Sequence, residues 1–281
     1  MTETLSTLNT AKAWHPDQRI DGRMLLREAP KPLAVQIGTV VGTIAGDEPA
    51  IRIPLVTDDG TAAFVPEGEQ IPGGGGRLDE AIIQTRMVAT LNMFSIDALA
   101  QSGNAESALT AMGRRVVAHA DRAFVASDAE PYGLLHDPAL TTDGGAVDGS
   151  LDALVDGVTT IEAAGGQPTH VLAAPDAWAA LSKLKAATGS NMPLLGGGTA
   201  ATERAVLGLP VVTSSAVPSG QLLVLDRGAI LVAAPEGPTV ESSRDFAFDY
   251  YAIAARATFR FGWKVARPDH VVKLATTTPA A

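Results

Sequence analysis

Residues 253–265 read IAARATFRFGWKV. Ile253, Ala255, Ala257, Phe259, Phe261, Trp263 and Val265 alternate there with Ala254, Arg256, Thr258, Arg260, Gly262 and Lys264. Successive side chains of a strand point to opposite sides, so period two sustained this long describes one strand with an apolar and a basic face. Shorter apolar runs lie around it between Gly, Pro or Asp breaks: Val211-Val212, Leu222–Leu225, Ala229–Ala233 and Thr239–Ser242, with His270–Leu274 as a final strand. The last third of the chain is therefore mostly strand.

Upstream, the period changes. Leu109, Met112, Val116, Ala120 and Ala123 recur at spacings of three and four, which predicts a helix from about Ala105 to Ala126 with Asn104 as N-cap. At 1.5 Å per residue it would be roughly 33 Å long. Arg114, Arg115, His119 and Asp121 fall on its other side. Ser150 caps a second helix with the stripe Leu151, Leu154, Val155, Val158 and Ile161, ended by Gly165-Gly166. His170–Ala174 reads as a short buried strand, and Pro175 opens a third helix carrying Trp178, Leu181 and Leu184. Helices and strands mix without a regular βαβ repeat, so the fold class is α+β.

Ile51–Val56 reads as strand, with Ala62–Val65 as its extension. Pro66, Gly68, Pro72 and Gly73–Gly76 follow, and strand character returns from Leu78 to Met93, with Ala81, Ile83, Met87, Ala89, Leu91 and Met93 on one face. Two strands around a Pro/Gly-rich tip predict an extended β-hairpin, projecting some 30–40 Å. A lone hairpin is marginal in water, and Ile51, Ile53, Leu55, Val56, Phe64, Val65 and Ile71 give this one much apolar surface to cover. The cover is either its own domain or a neighbouring copy. Residues 1–36, broken by Pro16, Pro30 and Pro32, read as an arm with a short helix around Asp21–Glu28, or as a tail.

Composition narrows the function. The 281 residues carry 21 Lys plus Arg against 31 Asp plus Glu, a formal net charge of −10. That argues against a surface that grips nucleic acid throughout, because neutralising phosphate takes Lys and Arg. Hydrophobic residues at 46% argue against a mainly disordered chain. With no cysteine, disulfides and thiolate chemistry are excluded. No apolar run approaches the roughly 18–20 residues of a membrane span, and Met1–Thr10 lacks the layout of a secretory signal.

No constellation specifies a reaction. His15, His119, His136, His170 and His270 are scattered, with no pair at helical metal-ligand spacing. Gly73–Gly76 and Gly196–Gly198 lack the Lys-Ser/Thr pair of a phosphate loop. Ser214-Ser215 lacks the glycine-flanked elbow of a hydrolase nucleophile, and Asp58-Asp59 before Gly60 is turn chemistry. No catalytic, cofactor or metal residues are assigned.

The order of elements resembles that of the major capsid proteins of tailed bacteriophages. Phe64-Val65-Pro66-Glu67-Gly68 with Ile71-Pro72 is similar to their extended-loop signature, followed by a strand into Ser95, a short helix through Leu99 and the long helix. Pro131-Tyr132-Gly133-Leu134-Leu135, the stretch Pro168–Lys185 and Leu207-Gly208-Leu209-Pro210-Val211-Val212 continue the pattern, and the closing strand through Arg256, Arg260 and Val265 completes it. The resemblance runs from about residue 35 to the C-terminus. It implies the Hong Kong 97-like fold: N-terminal arm (1–36), extended β-hairpin loop with flanking strands (37–93), peripheral domain with a long spine helix (94–147 and 253–281) and axial domain (148–252).

The function so implied is self-assembly, as hexamers and pentamers, into the icosahedral head of a tailed double-stranded DNA phage, built in the host cytoplasm and located in the virion capsid. Implied partners are further copies of the chain, a portal, separate scaffolding and decoration proteins, and non-specific contact with packaged DNA, without a membrane. Met1 close to the arm favours a separate scaffold or none. Expected intersubunit contacts are Arg19, Arg23 and Arg27 in the arm, Phe64, Val65, Glu67 and Ile71 in the loop, and Arg114 and Arg115 on the long helix. Some family members crosslink a loop lysine to a neighbour. Here Lys12, Lys31, Lys183, Lys185, Lys264 and Lys273 all lie outside the hairpin, so no such crosslink is expected. An encapsulin-like nanocompartment shell is the alternative, and a hydrolase using Ser214 or Asp58 the alternative of another class.

Overall fold

The computed structural model describes residues 31–44, 49–58, 62–71, 77–96, 105–140, 142–185, 191–195, 204–246 and 248–276. Two sheets dominate. The first is ordered β1 (Thr39–Gly42), β10 (Ile230–Ala233), β12 (Ala252–Val265), β11 (Thr239–Ser243), and β4 (Arg86–Ser95) also pairs with β12. The 14-residue β12 is its axis, contacted by β4 over ten pairs from Ala252↔Ser95 to Phe261↔Arg86. The alternating face is buried as expected: Ala255, Ala257, Phe259, Phe261, Trp263 and Val265 are inside, whereas Arg256 and Lys264 are exposed. Phe259, Phe261 and Trp263 stack in series with ring centroids 5.1 Å apart, and Phe124 meets Trp263 edge-on at 5.5 Å.

Phe124 belongs to helix α2 (Ala105–Ala126), which lies across this sheet and runs the length expected. Met112, Val116, Ala120 and Phe124 make its buried stripe, widened by Val117 and Val125. Its proposed cap, Asn104, lies outside the described residues, as does the helix through Leu99. The helix ends in a loop that folds back on it: the N–H groups of Leu134 and Leu135 donate to the carbonyls of Phe124 and Val125, and Trp263 Nε1 donates to the Tyr132 carbonyl at 2.9 Å. Gly133 is required there, because a Cβ would lie 2.5 Å from the Ser127 nitrogen.

The second sheet has the order β5 (Asp143–Val147), β13 (Val271–Thr276), β9 (Gln221–Leu225), β6 (His170–Ala173), β8 (Leu209–Thr213), β7 (Ala205–Val206). Helix α3 (Asp152–Ala163) packs on β5, β13 and β9 through Leu154 and Ile161. Ser150 sits just ahead of this helix, accepting from the Asp152 N–H at 3.3 Å, and Leu151 occupies the N-cap itself. Val155, read as part of the apolar stripe, is exposed, because it lies one turn-edge away from the Leu154–Ile161 line. Helix α4 (Pro175–Lys183) buries Ala177 and Leu181.

The chain passes between the sheets three times: from β4 to β5 by way of α2, and at two neighbouring places, 226–229 from β9 to β10 and 266–270 from β12 to β13. The two neighbouring crossings are bonded to each other: Asp226 N–H donates to the His270 carbonyl, and Ala266 N–H to that of Ala229. A single apolar core runs through both sheets and α2.

The hairpin forms as β2 (Ala50–Asp58) against β3 (Arg77–Gln84). Its details differ from the sequence reading in two ways. Ala62–Val65 does not extend β2 but runs as irregular chain. The apolar face of 78–93 also changes sides. Ala81, Ile83 and Thr85 are buried, but past Thr85 it is Val88, Thr90 and Phe94 that turn inward, leaving Met87 and Leu91 exposed. Thr85 interrupts the strand and donates its N–H to the Pro49 carbonyl, and that break shifts the alternation by one residue. At this point β3 crosses β12 so closely that a Cβ on Gly262 would lie 2.3 Å from the Gln84 oxygen.

Candidate assembly surfaces

Two surfaces are left uncovered by the described residues. The first is the hairpin tip. Residues 62–71 contain one turn, closed by Glu69 N–H donating to the Pro66 carbonyl at 3.1 Å, with Gly68 in the left-handed region at φ 86°. Phe64 is 107% exposed and Ile71 77%, and Glu67 is exposed with them, so three of the four loop residues expected to make contacts are presented to solvent. Val65 is half-buried. The strands leading here pack Ile51, Ile53 and Leu55 with Ala81, Ile83, Leu231 and Ala233, so the hairpin's root has its own small core. Val56, Leu78 and Ile82 lie exposed.

The second is a cleft of about 290 Å³ where α1 (Leu33–Ile37), α2 and the 212–216 turn meet, with Lys31, Ala118, Arg122 and Ser215 among the exposed residues of its lining. Helix α1 is a feature the arm reading did not anticipate: Leu33, Ala34 and Ile37 are buried in the chain's own core. Val35 and Gln36 donate their N–H groups to the carbonyl of Pro32 at its N-cap, whereas Leu33 N–H, the first of the helix, donates to Asp121 Oδ1 at 2.7 Å. Burial pushes the Asp121 carboxyl up from 3.8 to about 6, against the lowering effect of that hydrogen bond. Arg114 lines the cleft and Arg115, exposed, does not. Arg19, Arg23 and Arg27 lie outside the described residues.

A third feature escaped the sequence reading. The loop between β11 and β12 carries Phe246, Tyr250 and Tyr251, 67%, 72% and 62% exposed, with Tyr251 at φ 48°. Four aromatics within residues 246–251, in a chain with 5% aromatic residues, were the available signal.

Of the groups weighed for hydrolysis, Ser214 is engaged structurally. Ser214 Oγ accepts from the Ala216 N–H at 3.1 Å, holding a turn, and Asp58 ends β2. His270 is buried between the Ala164 carbonyl and the Asp226 carboxylate, at 3.3 and 3.4 Å. Among the described residues no group of three His, Asp or Glu side chains is placed to hold a metal, and no helix is long and apolar enough to cross a membrane.

A family model, the phage capsid family, matches residues 35–276. The chain belongs to the phage capsid family. Among curated proteins no sequence matches it. Solved structures similar to this capsid protein include a chain of Microbacterium phage Oxtober96, with TM-score 0.73 and 14% identity over 98% of this chain and all of that one. A chain of Mycobacterium phage Bobi has TM-score 0.71 and 16% identity over 98% and 100%. The capsid of an empty GTA particle has TM-score 0.67 and 16% identity over 94% and 100%. At these identities the likeness is one of fold, and the α+β architecture is common to all three.

Proposed function

We propose that this capsid protein forms the icosahedral head shell of a tailed double-stranded DNA bacteriophage by assembling with itself into hexamers and pentamers. In this reading the layout is Hong Kong 97-like. Residues 1–36 are the arm, 37–93 the extended loop, α2 the spine of a peripheral part (94–147 and 253–281), and 148–252 the axial part. Phe64, Val65, Glu67, Ile71, Arg114 and Arg115, with Arg19, Arg23 and Arg27 of the arm, meet neighbouring copies. A portal, scaffolding and decoration proteins are the further partners, packaged DNA touches the inner wall through phosphates only, and assembly takes place in the host cytoplasm.

One observation carries this reading: the hairpin presents Phe64 and Ile71 to solvent at its tip in a chain of the phage capsid family. Apolar groups so placed are stabilised only by burial against another surface, and contacts between unlike patches close into shells when the rotation between copies permits. The test is negative-stain microscopy and sedimentation of the purified chain, intact and lacking residues 58–76. Closed shells from the intact chain, with a folded but unassembled deletion variant, are expected. An intact chain that stays monomeric at high concentration refutes the shell, normal shells from the deletion variant refute the hairpin's part in it, and particles enclosing protein cargo in place of DNA point to a nanocompartment.

A further inference from the structure

Around the cleft beside α2 stand three cations, Lys31, Arg114 and Arg122, and one carboxylate, Asp121. Among the described residues none of the three cations is ion-paired with a carboxylate, and Asp121 Oδ1 is occupied by the Leu33 N–H. In a chain of net charge −10 this is a concentration of positive charge, uncompensated by the described residues, in a concave site. Gln36, Thr213, Ser214 and Ser215 add polar groups to the wall, and Ala118 and Val212 add apolar ones.

The hairpin tip has the complementary character. Glu67 and Glu69 flank Gly68 on a turn that is exposed throughout, and neither is ion-paired with a described residue. Gly68 turns the chain in the left-handed region at φ 86°, with nothing within 4 Å of where its Cβ would stand, so the turn is open to a partner. The tip lies at the far end of a nine-residue strand, roughly 30 Å from the hairpin's root.

We propose that the cleft of one copy receives the turn Pro66–Glu69 of another, with Glu67 and Glu69 opposite Arg114, Arg122 and Lys31. The match is one of charge. Two carboxylates on an exposed turn meet a concave site with an excess of two positive charges. Complementary charges of this kind set the register of an interface and penalise wrong pairings more than they add affinity. This inference rests on the self-assembly reading and names the residues that fix its geometry.

The experiment is a charge swap read by shell yield. Arg114→Glu and Glu67→Arg, each alone, are expected to lower the yield at least about tenfold by placing like charges opposite one another. Together they are expected to restore it to within about threefold of the unmodified chain, since the pair is reversed and kept. Thermal melts of the unassembled subunits establish that each variant folds. Normal shells from both single variants overturn the pairing, as does a folded double variant without rescue. Single variants that assemble normally but hold less DNA overturn it too, assigning the cleft to phosphate. If either charge reversal prevents folding, a double-mutant cycle with Arg114→Gln and Glu67→Gln decides: coupled effects on yield support the contact, and additive effects refute it. An unmodified chain that forms no shell removes the self-assembly reading itself, whereas good shells with an unrescued swap remove only this contact.

Discussion

Replacing Asp121 with Asn tests the physical account of how the start of the described chain is fastened to the long helix. The carboxylate accepts the Leu33 N–H at 2.7 Å yet has its pKa raised from 3.8 to about 6, so burial outweighs the hydrogen bond. Below 3.8 folded and unfolded chains both hold the proton, and the site carries no penalty. As the pH rises from there to about 6 the unfolded chain ionises first, so folding becomes progressively less favourable, and above about 6 the whole cost is present. The gap between the two values corresponds to about 3 kcal/mol, and to about 2 kcal/mol once water in the cleft is allowed for. Asn keeps an oxygen for the Leu33 N–H and carries no charge. Asp121→Asn should therefore melt higher than the unmodified subunit at about pH 8 by an amount equivalent to about 2 kcal/mol, with the two curves converging at about pH 4. Denaturant unfolding of the unassembled subunit at both pH values reads this directly. An Asn variant less stable than Asp at about pH 8 would show that the charged hydrogen bond, not desolvation, governs the site, and would refute the reasoning.

Three further outcomes are expected. Phe259→Ala removes a ring at 1% exposure from the stack on β12 and should cost about 3–5 kcal/mol in denaturant unfolding; a change within about 1 kcal/mol would take that ring out of the core's energetics. Gly262→Ala places a methyl group 2.3 Å from the Gln84 oxygen, so the hairpin root must shift, at about 1–3 kcal/mol and with loss of shell yield; an unchanged melt and normal yield would count against the tight crossing. Purified particles boiled in denaturant should run as single chains on a gel, since the hairpin contains no lysine; a covalent ladder would contradict this.

Features set by local periodicity were legible in the sequence. The β12 alternation and the α2 stripe were so because each is long and packs on one face only, so that burial writes its period directly into residue type. The hairpin was legible from its Pro/Gly cluster, a matter of turn chemistry. What depends on a distant partner was not. The break at Thr85 is caused by the Pro49 carbonyl, the need for glycine at 262 by the Gln84 oxygen, and the burial of α1 by a helix that begins some seventy residues later. Asp121 looked like one more polar residue on the outer side of α2, because its partner is a backbone N–H that leaves no mark in the sequence. The cleft likewise joins 31–36, 114–122 and 212–216, three stretches with no common motif. Of the candidate contact residues, Phe64 and Ile71 were readable as exposed apolar groups, whereas Arg114 and Arg115 could be told apart only once the cleft was seen.

Both legs of the hairpin are rooted in one sheet. The chain leaves that sheet at β1, parallel to β10, and re-enters it after Thr85 as β4, which runs antiparallel to β12 for ten residues. Tension applied at the tip along β3 therefore enters β4 at Arg86 and is carried lengthwise along its pairing with β12. Bonds loaded in this direction must slip together, whereas a strand pulled from its side peels open one bond at a time. A subunit loaded through its hairpin would thus resist through the whole length of that seam.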